Sequence, residues 1–544
     1  MADRRAGSIV RRRAVSRRIW RARPSVLRPL RVCPSPTPRT KPSPRSLWLA
    51  LASGALLGLA FLPVPLGFLA WFGFVPLLEA LEIRRREGAG GRSFFALGYA
   101  FGLMFFLIGT HWIALLADIA ITVPWLKYPA WLAAAAYLAL FTGLAAWLAG
   151  LLARRSGLSL AVVFPFAALV VEELRASGEL GFPWFQPGYT QHAYAPLIQL
   201  ASLGSVSLVT LWILALNVLL WRALAARFRG PAALGALFAL LLPWLWGYRV
   251  LQVAPMARGP AVALVQGDID GEIKWSGRHQ REILNTFLEL SDRAARDSLA
   301  PSILVWPETA TGSYLRKQLD QALAVSEFSS RTGASVFSGF ADYTLDPDGT
   351  PRYHNAAGMF QPKGEISSVY AKRHLVPFGE RMPFQRVFPA LGRLDLGQAE
   401  WDPGVGRVMF PSPAGPFTCL VCFEAIFPDL ARGDVKAGAR WLVNITNDEW
   451  FGNSAALYQH AAMAVFRSVE NHVPLARCAN TGLTLLTDAN GRIVRRLPVF
   501  QPAILTGRLA APGPPTLYGR IGDWPGIVST LLVLVFALRR WRPR

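Results

Sequence analysis

At 544 residues the chain exceeds one ordinary domain, and 52% hydrophobic residues with a mean hydropathy of +0.31 disfavour a fully soluble protein. The net charge of +23 favours membrane topology over nucleic-acid binding, because much of it lies in arginine-rich stretches beside apolar runs. Four cysteines over this length argue against a disulfide scaffold: Cys33, Cys419, Cys422 and Cys478.

Residues 1–45 are rich in Arg, Pro and Ser and hold too few apolar side chains to offset the entropy cost of ordering. We therefore expect a disordered basic tail on the cytoplasmic side of the membrane. From residue 46 to 251 we expect a transmembrane domain of seven helices, because apolar runs of about 17–25 residues suit a bilayer. The predicted spans are 47–62, 64–82, 93–117, 129–152, 158–175, 198–221 and 231–250.

An eighth apolar run, 524–538, lies in the C-terminal stretch 523–544, which ends in a basic cluster. Positive charge marks the cytoplasmic ends of membrane helices. The basic residues at the N-terminal tail, 84–86, 154–155, 222–229 and 539–544 all fall on one face if eight spans alternate. This count places both chain ends inside the cell and residues 252–522 outside it, in the periplasm if the cell has two membranes.

The segment 252–522 is more polar, and its short β-type runs alternate with amphipathic stretches, as in an α/β domain. Helices are predicted at 278–298, 316–332 and 454–471. The predicted strands are 261–266, 302–306, 335–340, 356–361, 367–372, 418–423, 442–446 and 483–487.

Three of these strands carry a reactive side chain at or near their C-terminal ends: Glu308, Lys372 and Cys422. Sites gather at such ends in α/β sheets. A thiol can serve as nucleophile, a carboxylate can accept its proton, and an ammonium can hold the charge of a tetrahedral intermediate. Each residue alone has a plainer interpretation, as core cysteine, surface lysine or helix-start acid. Cys419-x-x-Cys422 is a poor redox or zinc pair, because four ligands are not in view.

The surrounding strings resemble a known family. Trp306-Pro307-Glu308, the run from Lys372 through Pro377-Phe378-Gly379-Glu380, and Cys422-Phe423-Glu424 are similar to the Glu-Lys-Cys signature of the nitrilase superfamily. The multi-span first half and the stretches 181–184, 188–191, 265–268 and 447–452 narrow the resemblance to its membrane-bound branch, the apolipoprotein N-acyltransferase family. The resemblance covers nearly everything from about residue 47 to the end.

This resemblance implies an eight-helix membrane bundle that carries an αββα sandwich on the outer face. It implies Glu308 as general base, Lys372 as oxyanion stabiliser and Cys422 as nucleophile. Supporting roles fall to Glu380, Glu424 and Phe423, and substrate-binding roles near the acyl-binding mouth to Trp275 and Trp450.

The implied reaction moves a fatty acyl chain from a phospholipid, through a thioester, to the α-amine of a diacylglyceryl-cysteine at the start of a lipoprotein. No metal or nucleotide cofactor is implied. The expected partners are membrane lipids, the phospholipid donor and the apolipoprotein acceptor, with no nucleic acid and a monomeric enzyme.

Two departures from the family pattern leave open a sister activity or an altered substrate preference: Phe423 stands where Tyr is frequent, and Glu449 where a small residue is common. Two other functions stay open as alternatives. A membrane-tethered amidase could use the same three residues, although it would not need a large lipid-embedded half. A transporter with an outer binding domain is disfavoured, because the predicted spans carry few interior charges.

Overall fold

The computed structural model describes residues 43–118, 123–253, 259–364, 366–393 and 399–539. The predicted disordered tail therefore lies outside the described residues except for its last three positions. Of the C-terminal basic cluster, only Arg539 is described.

The first half of the chain is built from α-helices. Its first helix begins at Pro44, where the preceding Ser43 side chain accepts a hydrogen bond from the Ser46 N–H. The helices are α1 (Pro44–Ala60), α2 (Val75–Arg86), α3 (Gly91–Gly109), α4 (Lys127–Ser156), α5 (Leu160–Arg175), α6 (Ala195–Ile198), α7 (Ala201–Ala225) and α8 (Pro231–Val253).

Small residues let these helices pack closely. A Cβ atom on Gly54 of α1 would lie 2.2 Å from the Phe101 carbonyl oxygen of α3, and one on Gly98 would lie 2.4 Å from the Thr142 carbonyl oxygen of α4. Close backbone approach through glycine is typical of helix packing in membranes.

Within the described residues, four helical stretches are long and apolar enough to cross a membrane: Gly91–Leu115, Pro124–Ser156, Ala201–Ala225 and Pro231–Gln252. Two shorter apolar helices lie at Pro44–Ala60 and Trp524–Leu538. The prediction of a continuous helix over 64–82 is wrong. A 3-10 turn occupies Gly67–Trp71, and α2 begins only at Val75, because the prolines at 63, 65 and 76 lack the backbone N–H that a continuous helix needs.

The second half contains two sheets and their covering helices. Its helices are α9 (Gly271–Trp275), α10 (Gln280–Ala295), α11 (Leu319–Thr332), α12 (Pro428–Lys436), α13 (Ala455–Asn471) and α14 (Leu517–Ile521), and the chain then enters α15 (Trp524–Leu538). Its strands are β1 (Ala261–Gln266), β2 (Ile303–Val305), β3 (Ser335–Leu345), β4 (Pro351–Phe360), β5 (Tyr370–Ala371), β6 (Phe417–Val421), β7 (Trp441–Thr446), β8 (Leu475–Ala479), β9 (Leu485–Thr487), β10 (Ile493–Arg496) and β11 (Ala503–Arg508).

The two sheets pack face to face. Their strand orders are β11-β1-β2-β3-β4-β5 and β10-β9-β8-β7-β6, with parallel pairs at β1-β2-β3 and β6-β7-β8. Side chains alternate along β1, so Val262 and Leu264 enter the core between the sheets, while Ala263 and Val265 face α10 and α11. Leu420 and Leu442 of the second sheet pack against α12 and α13 in the same way. The predicted α/β sandwich is confirmed.

Some predicted elements differ in extent. The strand expected at 367–372 shrinks to β5, and the strand expected at 418–423 stops at Val421, because Cys422 has a φ of +48° that breaks the extended backbone. The strands β8, β10 and β11 were not predicted. Of these, β10 is exposed along its whole length, so it has no alternation of apolar and polar residues to reveal it.

The helix α13 joins the two halves. Its Gln459 side chain accepts a hydrogen bond from the Trp184 indole N–H at 2.8 Å, and its Arg467 donates to the Tyr189 hydroxyl at 3.0 Å. A kink in α7 at Ser205, where φ is +61°, leaves the Val206 N–H free to donate to the Glu470 carboxylate at 3.2 Å. Membrane-half and sandwich side chains thus share one apolar core.

Candidate active site

The three predicted catalytic side chains lie at the ends of three strands. Glu308 follows β2, Lys372 follows β5, and Cys422 follows β6. All three are buried, with relative exposures of 5%, 1% and 8%. The structure therefore brings a carboxylate, an ammonium and a thiol into one enclosed region, as the strand-end argument predicts.

The Lys372 ammonium lies between two carboxylates. Its Nζ is 2.8 Å from Oε1 of Glu380 and 3.4 Å from Oε1 of Glu308. The Asn355 side-chain amide donates to the same two oxygens, at 3.0 Å and 2.7 Å. Burial lowers the pKa of Lys372, but the two carboxylates outweigh it and raise the pKa above its usual value, so the side chain stays charged.

Backbone amides fix both carboxylates. The second oxygen of Glu308 accepts the Asn447 N–H at 2.8 Å, and the second oxygen of Glu380 accepts the Val376 N–H at 2.8 Å. These bonds fix the orientation of both carboxylates.

Cys422 stands at a sharp turn between β6 and a 3-10 segment over Cys422–Ile426. Burial, followed by the negative charge of Glu308, raises the pKa of its thiol well above the usual value, while Lys372 acts in the opposite direction. The resting thiol is therefore protonated and needs a base to become a nucleophile.

Glu424 is fully buried and links two strand ends. It accepts hydrogen bonds from the Tyr370 hydroxyl at 2.8 Å, from the Arg373 N–H at 2.7 Å and from the Val421 N–H at 2.8 Å. Burial raises its pKa, which these donors partly offset. Glu424 thus holds the Lys372 segment against the Cys422 turn.

The remaining predicted residues lie around this centre. Phe423 is buried in the 3-10 segment and stacks on Phe182 of the membrane half, with ring centroids 6.4 Å apart. Trp275 ends α9 and is 41% exposed, whereas Trp450 is partly buried in a 3-10 turn, and its carbonyl accepts the Ala117 N–H at 3.1 Å. Both tryptophans belong to segments that contact each other, because the Gly271 N–H of α9 donates to Glu449.

Sequence reasoning missed several polar residues that complete the site. Asn355 lies within β4, His460 lies within α13, and Lys274 is buried and donates to the Asn447 side chain at 3.0 Å. Nothing in the local sequence marks Asn355 or His460, because their roles depend on which strand or helix packs beside them. Lys274 directly precedes Trp275, which the family resemblance had already marked, so of these three residues it is the one that the sequence could have indicated.

A metal ion does not fit the cluster of Cys422, Asp448 and His460, whose potential ligand atoms lie within 4.8 Å of one another among the described residues. Both Asp448 oxygens are engaged, by Arg477 at 2.6 Å and by the Thr446 hydroxyl at 2.7 Å. One ring nitrogen of His460 faces the Cys422 carbonyl, which can only accept a hydrogen bond, so that nitrogen carries a proton and cannot ligate.

Comparisons with known proteins identify the family of this chain. One family model, the apolipoprotein N-acyltransferase N-terminal domain, matches residues 53–219, and a second, carbon-nitrogen hydrolase, matches residues 261–512. The apolipoprotein N-acyltransferase of Geobacter metallireducens is 36% identical over 508 residues, covering 91% of this chain and 96% of that protein. The enzymes of the same name from Rhodopseudomonas palustris and Azotobacter vinelandii are 33% and 34% identical, each over at least 91% of this chain and 95% of the relative.

Among solved structures, the Nesterenkonia AN1 amidase from the nitrilase superfamily aligns at 16% identity and a TM-score of 0.36, covering 52% of this chain and 99% of that one. A branch 10 nitrilase-superfamily member from Saccharomyces cerevisiae aligns at 19% and 0.35, covering 47% and 93%.

A helical half of this type joined to a carbon-nitrogen hydrolase domain defines an enzyme of the acyltransferase class. Full-length relatives and both domain models match in the same order along the chain. The chain belongs to the apolipoprotein N-acyltransferase family.

Proposed function

We propose that this enzyme transfers a fatty acyl chain from a membrane phospholipid to the α-amine of an N-terminal diacylglyceryl-cysteine, by way of a thioester on Cys422. The observation that carries the proposal is the buried Cys422 thiol, which interacts with the charges of both Glu308 and Lys372, next to Phe423 that stacks on the membrane half. Membership of the family indicates acyl transfer as the reaction. Because the Cys422 thiol is protonated at rest, it needs a base to become a nucleophile.

In the first half-reaction, Glu308 accepts the Cys422 thiol proton as the sulfur attacks the ester carbonyl of the donor. The Lys372 ammonium and the backbone N–H of Phe423 hold the oxyanion, an interaction worth about 3–4 kcal/mol per donor. The tetrahedral intermediate then collapses, the C–O bond breaks, and the lysophospholipid leaves with the proton returned by Glu308. The acyl group remains on sulfur.

In the second half-reaction, the acceptor amine attacks the thioester carbonyl and gives its proton to Glu308. The C–S bond breaks, an amide forms, and the Cys422 thiol is regenerated. Donor and acceptor therefore react in turn, and ping-pong kinetics follow.

Exclusion of water protects the thioester between these steps. Aromatic side chains from the membrane half cover the Cys422 turn: Phe182 stacks on Phe423, and Trp184 stacks on Phe182 with centroids 5.7 Å apart. Trp275 and Trp450 are proposed to contact lipid at the mouth of the site. Glu380 keeps Lys372 in place, and Glu424 keeps the two catalytic strand ends together.

The proposed topology has eight spans, with the basic stretches on the cytoplasmic side and residues 252–522 in the periplasm beside the inner membrane. The alternation of arginine clusters supports this layout. A reporter fused after Arg229 should read cytoplasmic, and one fused near residue 350 should read periplasmic. The reverse pattern would overturn the orientation.

The partners are lipids and lipoproteins rather than nucleic acid, and a monomer suffices because one chain supplies every group of the site.

The decisive experiment separates the two half-reactions. Purified enzyme given phospholipid alone should accumulate acyl-Cys422, detected by peptide mass spectrometry. A diacylated lipopeptide with a free α-amine should discharge that thioester, whereas the same peptide with an acetylated amine should not.

The Glu308→Gln variant should form no thioester, because the thiol proton then has no acceptor. Rapid release of free fatty acid without an acceptor, or equal discharge by the blocked peptide, would indicate a hydrolase instead.

A further inference from the structure

His460 contacts the peptide group that follows the nucleophile. Its Nε2 lies 3.0 Å from the carbonyl oxygen of Cys422. A carbonyl only accepts hydrogen bonds, so Nε2 carries the proton and donates it. The histidine is fully buried in the middle of α13, 38 positions along the chain from the nucleophile.

The same peptide group contains the N–H of Phe423. In a trans peptide the C=O and the N–H point in opposite directions. A donor that fixes the carbonyl on one side therefore fixes the direction of the N–H on the other. The Phe423 N–H lies in the first turn of its 3-10 segment, where amides have no acceptor within the turn.

The imidazole itself is held by a buried polar chain. Nδ1 of His460 lies 2.9 Å from Oδ1 of Asp448 and 3.1 Å from Nη2 of Arg477. Burial, followed by the charge of Arg477, lowers the pKa of His460, while the charge of Asp448 and its hydrogen bond to Nδ1 raise it. Asp448 is ionised, since the charge of Arg477 overcomes burial and lowers the pKa of this carboxyl.

Both ring nitrogens are engaged, Nδ1 with Asp448 and Nε2 with the Cys422 carbonyl, so neither has a free lone pair for the thiol. Although a ligand atom of His460 lies within 4.8 Å of the Cys422 sulfur, this arrangement does not suit a general base. Rings also cover the imidazole: Trp184 of the membrane half stacks on it at 5.4 Å, and Phe451 meets it edge-on at 6.0 Å.

We propose that His460 is a positioning residue that aims the Phe423 N–H at the oxyanion by holding the Cys422 carbonyl, with Trp184 of the membrane half keeping the imidazole in place. A hydrogen bond accepted by the carbonyl polarises the peptide group and strengthens the bond that its N–H donates, by about 10–30%. The hydrogen bond also stabilises the positive φ of Cys422. The inference rests on the proposed thioester mechanism.

The test uses two readouts that respond differently. Formation of acyl-Cys422 from phospholipid passes through an oxyanion, whereas alkylation of the same thiol by iodoacetamide displaces iodide without one. Both rates are measured on the full-length enzyme, with the Cys422 peptide followed by mass spectrometry.

Two substitutions separate the two ring nitrogens. His460→Asn can replace Nδ1 but leaves the Cys422 carbonyl without a donor, whereas His460→Gln places an amide N–H near the position of Nε2. We expect His460→Asn to slow thioester formation about 100-fold, as loss of an oxyanion donor does. It should leave alkylation near the wild-type rate, and His460→Gln should recover most of the acylation.

His472→Asn serves as control, because this histidine lies at the end of α13 with a φ of +50° that asparagine tolerates. If His460→Asn does not fold, as judged by thermal unfolding, His460→Leu fills the apolar surroundings without a donor and replaces it. A parallel fall in alkylation would make His460 a base or a packing residue and overturn the proposal. So would wild-type acylation in His460→Asn, or acylation by His460→Gln no better than by His460→Asn. Absence of acyl-Cys422 in the wild type would instead refute the thioester mechanism itself.

Discussion

Replacing Lys372 by Met removes the ammonium that lies between Glu308 and Glu380. The lysine side chain is 1% exposed, and its nitrogen is 2.8 Å and 3.4 Å from the two carboxylates. Removing one partner of a buried ion pair costs about 3–5 kcal/mol, because the other charge stays buried. With about 2–4 °C per kcal/mol for a domain of this size, the melting temperature should fall by roughly 6–20 °C.

The pH dependence of that loss follows from the raised pKa of Lys372. A cation whose folded pKa exceeds its unfolded value stabilises fully below about pH 10.4 and loses the effect as pH rises through the folded pKa. The difference between wild type and Lys372→Met should therefore be equal at pH 7 and pH 9. Scanning fluorimetry in one detergent at a fixed heating rate measures it, with Lys363→Met, an exposed lysine, as control. A difference that closes between pH 7 and pH 9, or a fall of less than about 2 °C, would refute the buried ion pair.

Three further predictions use the same preparation. Cys422→Ala and Cys422→Ser should abolish acyl transfer, whereas Cys419→Ala and Cys478→Ala, which alter core positions, should keep most of it; full activity of Cys422→Ala in a lipopeptide assay would disprove the nucleophile. Glu424→Gln should lower stability by about 1–3 kcal/mol, because its amide N–H₂ meets backbone donors, and unchanged melting would contradict this. Burial lowers the pKa of Lys274 to about 8, so between about pH 8 and 10.4 the unfolded chain binds more protons than the folded one and stability rises with pH. Lys274→Met should flatten this rise of melting temperature with pH, and an unaltered rise would contradict the buried lysine.

Short motifs were enough to predict the three central side chains. Glu308, Lys372 and Cys422 each follow an apolar run within a few residues, and the signature strings around them mark all three. Their proximity could not be read from local sequence, because Glu308 and Lys372 follow strands of one sheet and Cys422 follows a strand of the other, and only the packing of the two sheets brings them together. Their catalytic roles stay predictions, as do the number of spans and the side of the membrane on which the sandwich lies.

The supporting polar groups could not be predicted in this way. Asn355 reaches Glu308 and Glu380 only because β4 pairs with β3 on one side and β5 on the other. His460 reaches the Cys422 carbonyl because α13 packs against the second sheet. The error at 64–82 arose because the prediction used the apolar character of the segment, which takes no account of the backbone N–H groups that its prolines lack.

The kink in α7 makes the two halves of the enzyme structurally dependent on each other. Glu470, which lies on the sandwich, accepts the N–H that the kink leaves unpaired, so a helix of one half is completed by a side chain of the other. Arg467 and Glu470 are fully buried, and Tyr189 and the Val206 N–H of α7 contact them from the membrane half. A sandwich cut away near residue 252 would expose this ion pair together with Phe423 and Phe466. The sandwich therefore cannot be exchanged between relatives by itself. A chimera that exchanges it must exchange α7 and the 181–191 turn as well.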